Sequence, residues 1–123
     1  MKIFEAINGL DSLKQNTYTT DDKIRWLSTL DWTVKKLMNQ YVGADKVIFN
    51  GYTNETDQNT ELLVPAPYDE VYLRWLEAQI DYHNGEFDKF NASIIMYNTA
   101  YEAYANFYKR NHMPRHRGTR FIF

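Results

Sequence analysis

The spacing of apolar residues predicts four helices and one irregular segment. Apolar side chains recur at helical spacing over residues 3–13, which predicts the first helix. A second helix is predicted after Tyr18, because Thr19 and Asp22 have the spacing of a capping box. Its apolar stripe consists of Ile24, Leu27, Leu30, Val34, Leu37, Met38 and Tyr41. Trp26 and Trp32 fall outside this stripe, which indicates either a helix buried on two sides or a contact surface.

Residues 44–66 have no helical pattern. Two short β-prone runs at 47–49 and 62–64 flank a polar, turn-rich stretch at 50–60. This pattern favours either a small β-hairpin or two extended arms around a long loop. Because long loops without secondary structure are usually functional, we expect this one to reach toward a partner.

The last two helices are predicted to fold back on each other as an antiparallel hairpin. Pro65 and Pro67 precede the third helix, since proline is favoured in a first helical turn. Gly85 is placed to end that helix as a left-handed C-terminal cap. The fourth helix is predicted from Glu86 to about Arg110, with apolar residues at alternating spacings of three and four. This seam consists of Phe87, Phe90, Ile94, Tyr97, Tyr101, Tyr104 and Tyr108.

The seam is expected to divide between the core and its edge. Phe87, Phe90 and Ile94 are expected in the core, whereas the distal tyrosines are expected at a core edge or a subunit interface, because each buried hydroxyl needs a partner. The candidates for a subunit interface are Trp26, Trp32, Tyr101, Tyr104 and Tyr108. The predicted fold is therefore mainly α. It is a four-helix, bundle-like domain over residues 1–114, with a hairpin or arm at 44–66 and an extended C-terminal tail at 115–123.

Charge is divided unevenly along the chain. The last fifteen residues hold five basic and no acidic side chains, whereas the first 108 residues hold 9 basic and 16 acidic ones, a net charge of −7. An acidic body with a basic tail favours head-to-tail attraction between copies, or docking of the tail on an acidic partner; a solvated tail is the alternative. The residues expected to dock are Arg115, Arg117, Arg120, Phe121 and Phe123. Residues 119–123 could add as a strand to the sheet edge of another chain.

The sequence contains no motif for catalysis. The chain has no cysteine, which excludes a thiolate zinc site and a cysteine nucleophile. His112 and His116 are four residues apart, but Pro114 between them keeps them off a common helix face. Phosphate loops, dinucleotide fingerprints and nucleophile elbows do not occur. We therefore expect a protein that is not an enzyme, with no catalytic residue, no metal site and no cofactor.

Hydropathy gives no reason to expect contact with a membrane. No apolar run approaches the roughly 20 residues of a membrane span. The N-terminus turns polar too soon for a signal peptide. A soluble protein of the cytoplasm is the expectation.

Several stretches of the sequence carry a family resemblance. They are residues 18–31 (YTTDDKIRWLSTLD), 63–70 (LVPAPYDE), Tyr72, 76–82 (LEAQIDY), 84–86 (NGE) and 105–114 (ANFYKRNHMP). Together they resemble a family of short proteins in phages and prophages of Gram-positive and gut bacteria. That family is similar to the head-tail connector class, also called adaptor or head-completion proteins. The resemblance covers most of residues 18–114.

The resemblance implies a structural virion protein at the head-tail interface that is assembled in the host cytoplasm. It implies a homo-oligomeric ring, commonly of twelve copies, between the portal protein and the tail or a stopper protein. Double-stranded DNA would pass through the ring without sequence-specific contacts. A C-terminal arm would dock on the portal or on a neighbouring subunit.

Two other functions stay open at this point. Four arginines and two phenylalanines near the C-terminus could bind the phosphates and bases of a nucleic acid, as an accessory protein would. An isoelectric point near 5.9 argues against such a role, because it gives no basic face. The other alternative is a small helical regulator that binds a host protein.

Overall fold

A computed structural model describes residues 1–41 and 47–112. Its helices are α1 Ile3–Leu13, α2 Thr20–Met38, α3 Glu70–His83 and α4 Phe87–His112. They confirm the mainly α fold. Thr19 caps α2 as predicted, because its hydroxyl accepts a hydrogen bond from the Asp22 amide over 3.1 Å.

One end of the molecule carries both short connections between helices. Residues 14–19 join α1 to α2, and residues 84–86 join α3 to α4. The two connections touch, since the Tyr18 hydroxyl donates to the Asn84 side-chain carbonyl over 2.6 Å. Gly85 has a φ of +74°, which is the left-handed conformation that the sequence predicted. We call this end the turn end.

The opposite end carries the first turns of α1 and α3 and the last turns of α2 and α4. The N-terminal amine lies 3.4 Å from the Asp69 carboxylate, just before α3. The Tyr108 hydroxyl of α4 donates to the Met38 carbonyl of α2 over 3.3 Å. The helices therefore run alternately up and down, and α3 and α4 form the predicted antiparallel hairpin. We call this end the tail end, because α4 finishes there.

The described part of the connection between α2 and α3, residues 47–69, contains no strand. An isolated β-bridge between Lys2 and Glu61 is its one β contact. The described part of this segment therefore does not form the β-hairpin that was one of the two predicted alternatives, and it lies against helices of its own chain. The Tyr52 amide donates to the Ser28 hydroxyl over 3.0 Å. Its apolar side chains cover the core; those buried are Phe49, Tyr52, Leu62 and Val64.

Helix α4 packs almost entirely on α3. Only Ser93, Tyr104 and Tyr108 are buried among its 26 residues. The prediction that Phe87, Phe90 and Ile94 belong to the core is wrong for Phe87, which is 59% exposed, and Phe90 and Ile94 are only partly buried. Phe87 is the first residue of α4, and of the described rings only that of Tyr82 in α3 packs against it. The long helix thus presents much of its surface to solvent.

Replacing Gly85 by alanine is expected to lower the free energy of unfolding by about 1 kcal/mol, because a Cβ disfavours positive φ. Nothing lies within 4 Å of the position that a Cβ would occupy, so the cost comes from the backbone alone. Gly85→Asn should cost less, since asparagine tolerates this conformation better. Urea denaturation of both variants measures the effect. Equal costs for alanine and asparagine would argue against a backbone origin.

Candidate functional site

The structure places three of the five predicted interface residues in the core of a single chain. They are Trp26, Tyr104 and Tyr108. The Trp26 ring packs edge-on against Tyr18, and its backbone carbonyl accepts a hydrogen bond from the Trp75 indole over 2.8 Å. Helix α2 is thus buried on a second side by α3. Burial on two sides was one of the two alternatives that the positions of the tryptophans predicted. These three side chains have little surface left for another subunit.

The other two predicted interface residues keep part of their surface exposed. Tyr101 is half-buried, with its ring 5.9 Å from that of Tyr97. Partial burial raises the pKa of the Tyr101 hydroxyl above its ordinary value. Trp32 is 41% exposed on the outer side of α2. The prediction of an interface role therefore rests on Trp32 and Tyr101.

Trp32 forms one wall of a groove beside the C-terminal half of α2. The groove has a volume of about 420 Å³ and is lined by Trp32, Lys35, Lys36, Asn39 and Gln40. The Lys35 ammonium lies 4.8 Å from the centre of the Trp32 ring and donates to the Phe49 carbonyl over 3.3 Å. No acidic residue occurs between residues 32 and 41, so the groove is apolar in one wall and positive at its rim. We call it the basic groove.

A second exposed apolar surface lies at the turn end. It consists of the neighbouring rings of Tyr82 and Phe87, which are 52% and 59% exposed, together with Leu13, which is 67% exposed where α1 ends at the same end of the molecule. The Tyr82 ring lies 6.1 Å from that of Phe87 and 5.4 Å from that of Phe90. The sequence analysis missed this surface, although two apolar residues that flank an Asn-Gly turn were a signal for it. We call these three residues the turn-end patch.

The most strongly hydrogen-bonded carboxylate is that of Asp31, which is fully buried. Its two oxygens accept hydrogen bonds from the Tyr52 hydroxyl at 2.5 Å, the Tyr72 hydroxyl at 2.6 Å and the Leu63 amide at 3.2 Å. The Tyr72 hydroxyl in turn accepts from the Val64 amide over 2.7 Å. Asp31 therefore fastens residues 52–64 to both α2 and α3. We call these groups the Asp31 cluster.

The environment of the Asp31 cluster perturbs its acid–base properties. Burial raises the pKa of the Asp31 carboxyl, and the hydrogen bonds from Tyr52, Tyr72 and Leu63 oppose that effect. Burial and the nearby carboxylate raise the pKa of both tyrosine hydroxyls. All three side chains are saturated by one another inside the core. The cluster is suited to holding the fold together and not to binding a ligand.

A second buried carboxylate, Asp81, joins three helices. It lies 2.6 Å from the Lys14 ammonium after α1 and accepts a hydrogen bond from the Ser93 hydroxyl of α4. A hydroxyl beside a carboxylate is one element of a nucleophilic site, but such a site also needs donors for an oxyanion and access for a substrate. Ser93 is buried between α3 and α4. We assign this group to the pairing of α1, α3 and α4.

The predicted docking residues of the tail lie outside the described residues. They are Arg115, Arg117, Arg120, Phe121 and Phe123. Their role stays a prediction. Within residues 1–41 and 47–112, histidine and acidic side chains form no group of three or more that could hold a metal ion. In that same part of the chain, no helix is long and apolar enough to cross a membrane.

No protein-family model matches this chain, and searches of curated proteins and of solved structures find no match to it either.

Proposed function

We propose that this chain is a structural subunit of a homo-oligomeric ring, the head-tail connector of a tailed bacteriophage. The observation that carries this proposal is the amount of large apolar surface left uncovered in one copy. Seven such side chains are exposed among the described residues: Leu13, Trp32, Ile48, Tyr82, Phe87, Ile95 and Met96. Clustered apolar residues on a soluble chain are typical of surfaces that bind other proteins. The family resemblance of residues 18–114 gives the kind of assembly.

In this proposal the ring lies between the portal protein and the tail or a stopper protein of the virion. It contains about twelve copies, as in the family that the chain resembles. The subunits assemble in the host cytoplasm, and double-stranded DNA passes through the central channel. The net charge of −7 over the first 108 residues supports such a role. An acidic channel wall repels the phosphate backbone, so that DNA moves through without being held.

The basic, aromatic tail would attach each subunit to the portal or to a neighbour. Three arginines within residues 115–120 can pair with carboxylates of the partner, while Phe121 and Phe123 can fill apolar pockets on one side of an extended strand. A tail of this composition is opposite in charge to the body of its own chain, which favours docking on another copy or on a similarly acidic partner.

Deletion of residues 115–123 is expected to leave a folded chain that is lost from virus particles. The deletion removes none of the residues that form the described core, so the circular dichroism spectrum and the thermal midpoint should stay unchanged. Particles are produced with the truncated chain as the only source of this protein. Mass spectrometry of the purified particles then measures how much of the truncated chain they contain. Replacing the three tail arginines by glutamine, with both phenylalanines retained, separates the contribution of charge from that of the rings. Normal incorporation of the truncated chain would refute the docking role of the tail.

Detection of the intact chain in purified virions tests the function itself. A copy number equal to that of the portal protein, or a fixed multiple of it, is the expected result. Absence from virions, together with tight and salt-dependent binding of DNA by the isolated chain, would favour the nucleic-acid-binding alternative.

A further inference from the structure

We infer that copies of this chain associate head to tail, with the turn-end patch of one copy seated in the basic groove of the next. This inference rests on the proposed ring and names the two surfaces that would form it. Both surfaces belong to the described residues, and neither includes the C-terminal tail.

The turn-end patch has the apolar content of an interface. Leu13, Tyr82 and Phe87 come from three different helices or helix ends and are each more than half exposed. Tyr82 and Phe87 pack edge to face, so they form one continuous aromatic surface. Aromatic residues at the centre of a patch with charged residues around it are typical of protein interfaces.

The surroundings of the turn-end patch are acidic. The four lysine and arginine residues within 11–25 and 81–89, the stretches around the two short connections, are each engaged with an acidic partner: Lys14 with Asp81, Lys23 with Asp11, Arg25 with Asp22 and Lys89 with Glu86. Asp21 and Asp88 are exposed and belong to no ion pair within the described part of the chain. Both lie at the turn end, Asp88 directly after Phe87, so this end of the molecule carries an excess of negative charge.

The basic groove has the complementary character. The exposed side of Trp32 provides its apolar wall, and Lys36 is exposed at its rim beside Lys35. The acid nearest in sequence among residues 1–41, Asp31, is fully buried in its own cluster and cannot neutralise this surface. Ile48, which precedes the Phe49 that packs on Trp32, is 86% exposed.

The positions of the two surfaces determine the kind of assembly. Asp21 lies in the first turn of α2 and Lys36 in its last turn, about 22 Å apart at 1.5 Å per residue. Because the two complementary surfaces are different and lie toward opposite ends of one helix, their contact is heterologous and passes from copy to copy, closing into a ring where the rotation allows it. Pairing either surface with itself would place like charges opposite each other.

Charge reversal tests the pairing with a matched set of variants of the full chain. Asp88→Lys and Lys36→Glu are each expected to raise the dissociation constant for self-association about tenfold, because each places like charges across the contact. The double variant in one chain, and an equimolar mixture of the two single variants, should both restore association to within about twofold of the original chain. Sedimentation velocity over a concentration series at low ionic strength measures these constants.

Phe87→Ser tests the apolar part of the contact, with Ile95→Ser as its control. Both side chains lie on α4 and are similarly exposed, 59% and 62%, so neither change should affect folding. Loss of an aromatic residue at the centre of the contact should weaken association on the order of thirtyfold, whereas the control should leave it unchanged. Equal behaviour of the two variants would overturn the inference.

Other outcomes also decide the matter. Unchanged association of Lys36→Glu would show that the basic groove takes no part in the contact. A chain that stays monomeric at millimolar concentration would show that the surfaces do not pair. Either result overturns the inference. Particle analysis separates it from the proposed function. Normal incorporation of Phe87→Ser overturns the inference and leaves the connector role standing. If the variants show the expected association pattern but the chain is absent from virions, the inference stands and the connector role is overturned.

Discussion

Replacing Asp31 by alanine is expected to lower the free energy of unfolding by about 4 kcal/mol at neutral pH, because two buried hydroxyls and one partly buried amide lose their acceptor. These donors are the hydroxyls of Tyr52 and Tyr72 and the amide of Leu63. The two hydroxyl protons would be left in the core without an acceptor, and residues 52–64 would lose their hydrogen bonds to Asp31 while keeping that from the Tyr52 amide to Ser28 of α2. Urea denaturation followed by far-ultraviolet circular dichroism measures the change.

Two further variants serve as controls for the Asp31 cluster. Asp21→Ala removes the same side chain from an exposed position of the same helix and should change stability by less than about 0.5 kcal/mol. Asp31→Asn keeps one acceptor oxygen, so its cost in stability should lie between those of Asp31→Ala and Asp21→Ala. A cost for Asp31→Ala no larger than that for Asp21→Ala would mean that the Asp31 cluster does not hold the fold together.

The cost of Asp31→Ala should also depend on pH. Burial raises the pKa of the Asp31 carboxyl, so the folded chain binds this proton more tightly than the unfolded chain does. The resulting stability is fully present below the ordinary carboxyl pKa of 3.8 and is lost as the pH rises through the raised value. The stability difference between the original chain and the variant should therefore shrink with rising pH. A difference that grows would show that the hydrogen bonds to the carboxylate outweigh its burial.

Replacing Tyr104 by alanine should cost about 4 kcal/mol of folding stability, as expected for removal of a fully buried aromatic ring. Tyr104 packs beside the rings of Tyr68, Phe107 and Tyr108, and no other chain is needed to bury it. Tyr82→Ala is the control, since Tyr82 is an aromatic residue of the same hairpin that lies mostly in solvent. Thermal unfolding of the dilute chain measures both changes.

This comparison separates the two expectations for the distal tyrosines of α4. A core residue affects the stability of a single copy, whereas an interface residue affects association and leaves the dilute chain stable. Unchanged stability of Tyr104→Ala at low concentration, combined with loss of self-association, would restore Tyr104 to the interface and contradict its place in the core.

The features that sequence alone could predict are those set by neighbours along the chain. Thr19 and Asp22 indicated the start of α2, and Gly85 indicated the end of α3, because capping is decided within four residues. The antiparallel hairpin followed from the short turn between α3 and α4. These features are local in origin, and the structure confirms them.

The features that sequence did not predict depend on residues far apart in the chain. Asp31 appeared as an ordinary charged position, since the two tyrosines that satisfy it are 21 and 41 residues away. Its place four residues after Leu27, on the apolar side of α2, was the available signal of burial. Trp26 and Tyr104 were assigned to an interface for the same reason. An amphipathic pattern shows which side chains are covered, but not whether the cover comes from the same chain.

The way in which the connection between α2 and α3 is held has a practical consequence for labelling the molecule. The Tyr52 amide is bound to Ser28 on one side, and the carbonyl of Thr60 accepts from the Ile3 amide on the other, while the seven residues between them are largely exposed. A fluorophore attached at the exposed Glu55 would project into solvent without loosening either anchor. Such a reporter leaves Trp32, Tyr82 and Phe87 unmodified, so the proposed contact between copies can be followed without blocking it.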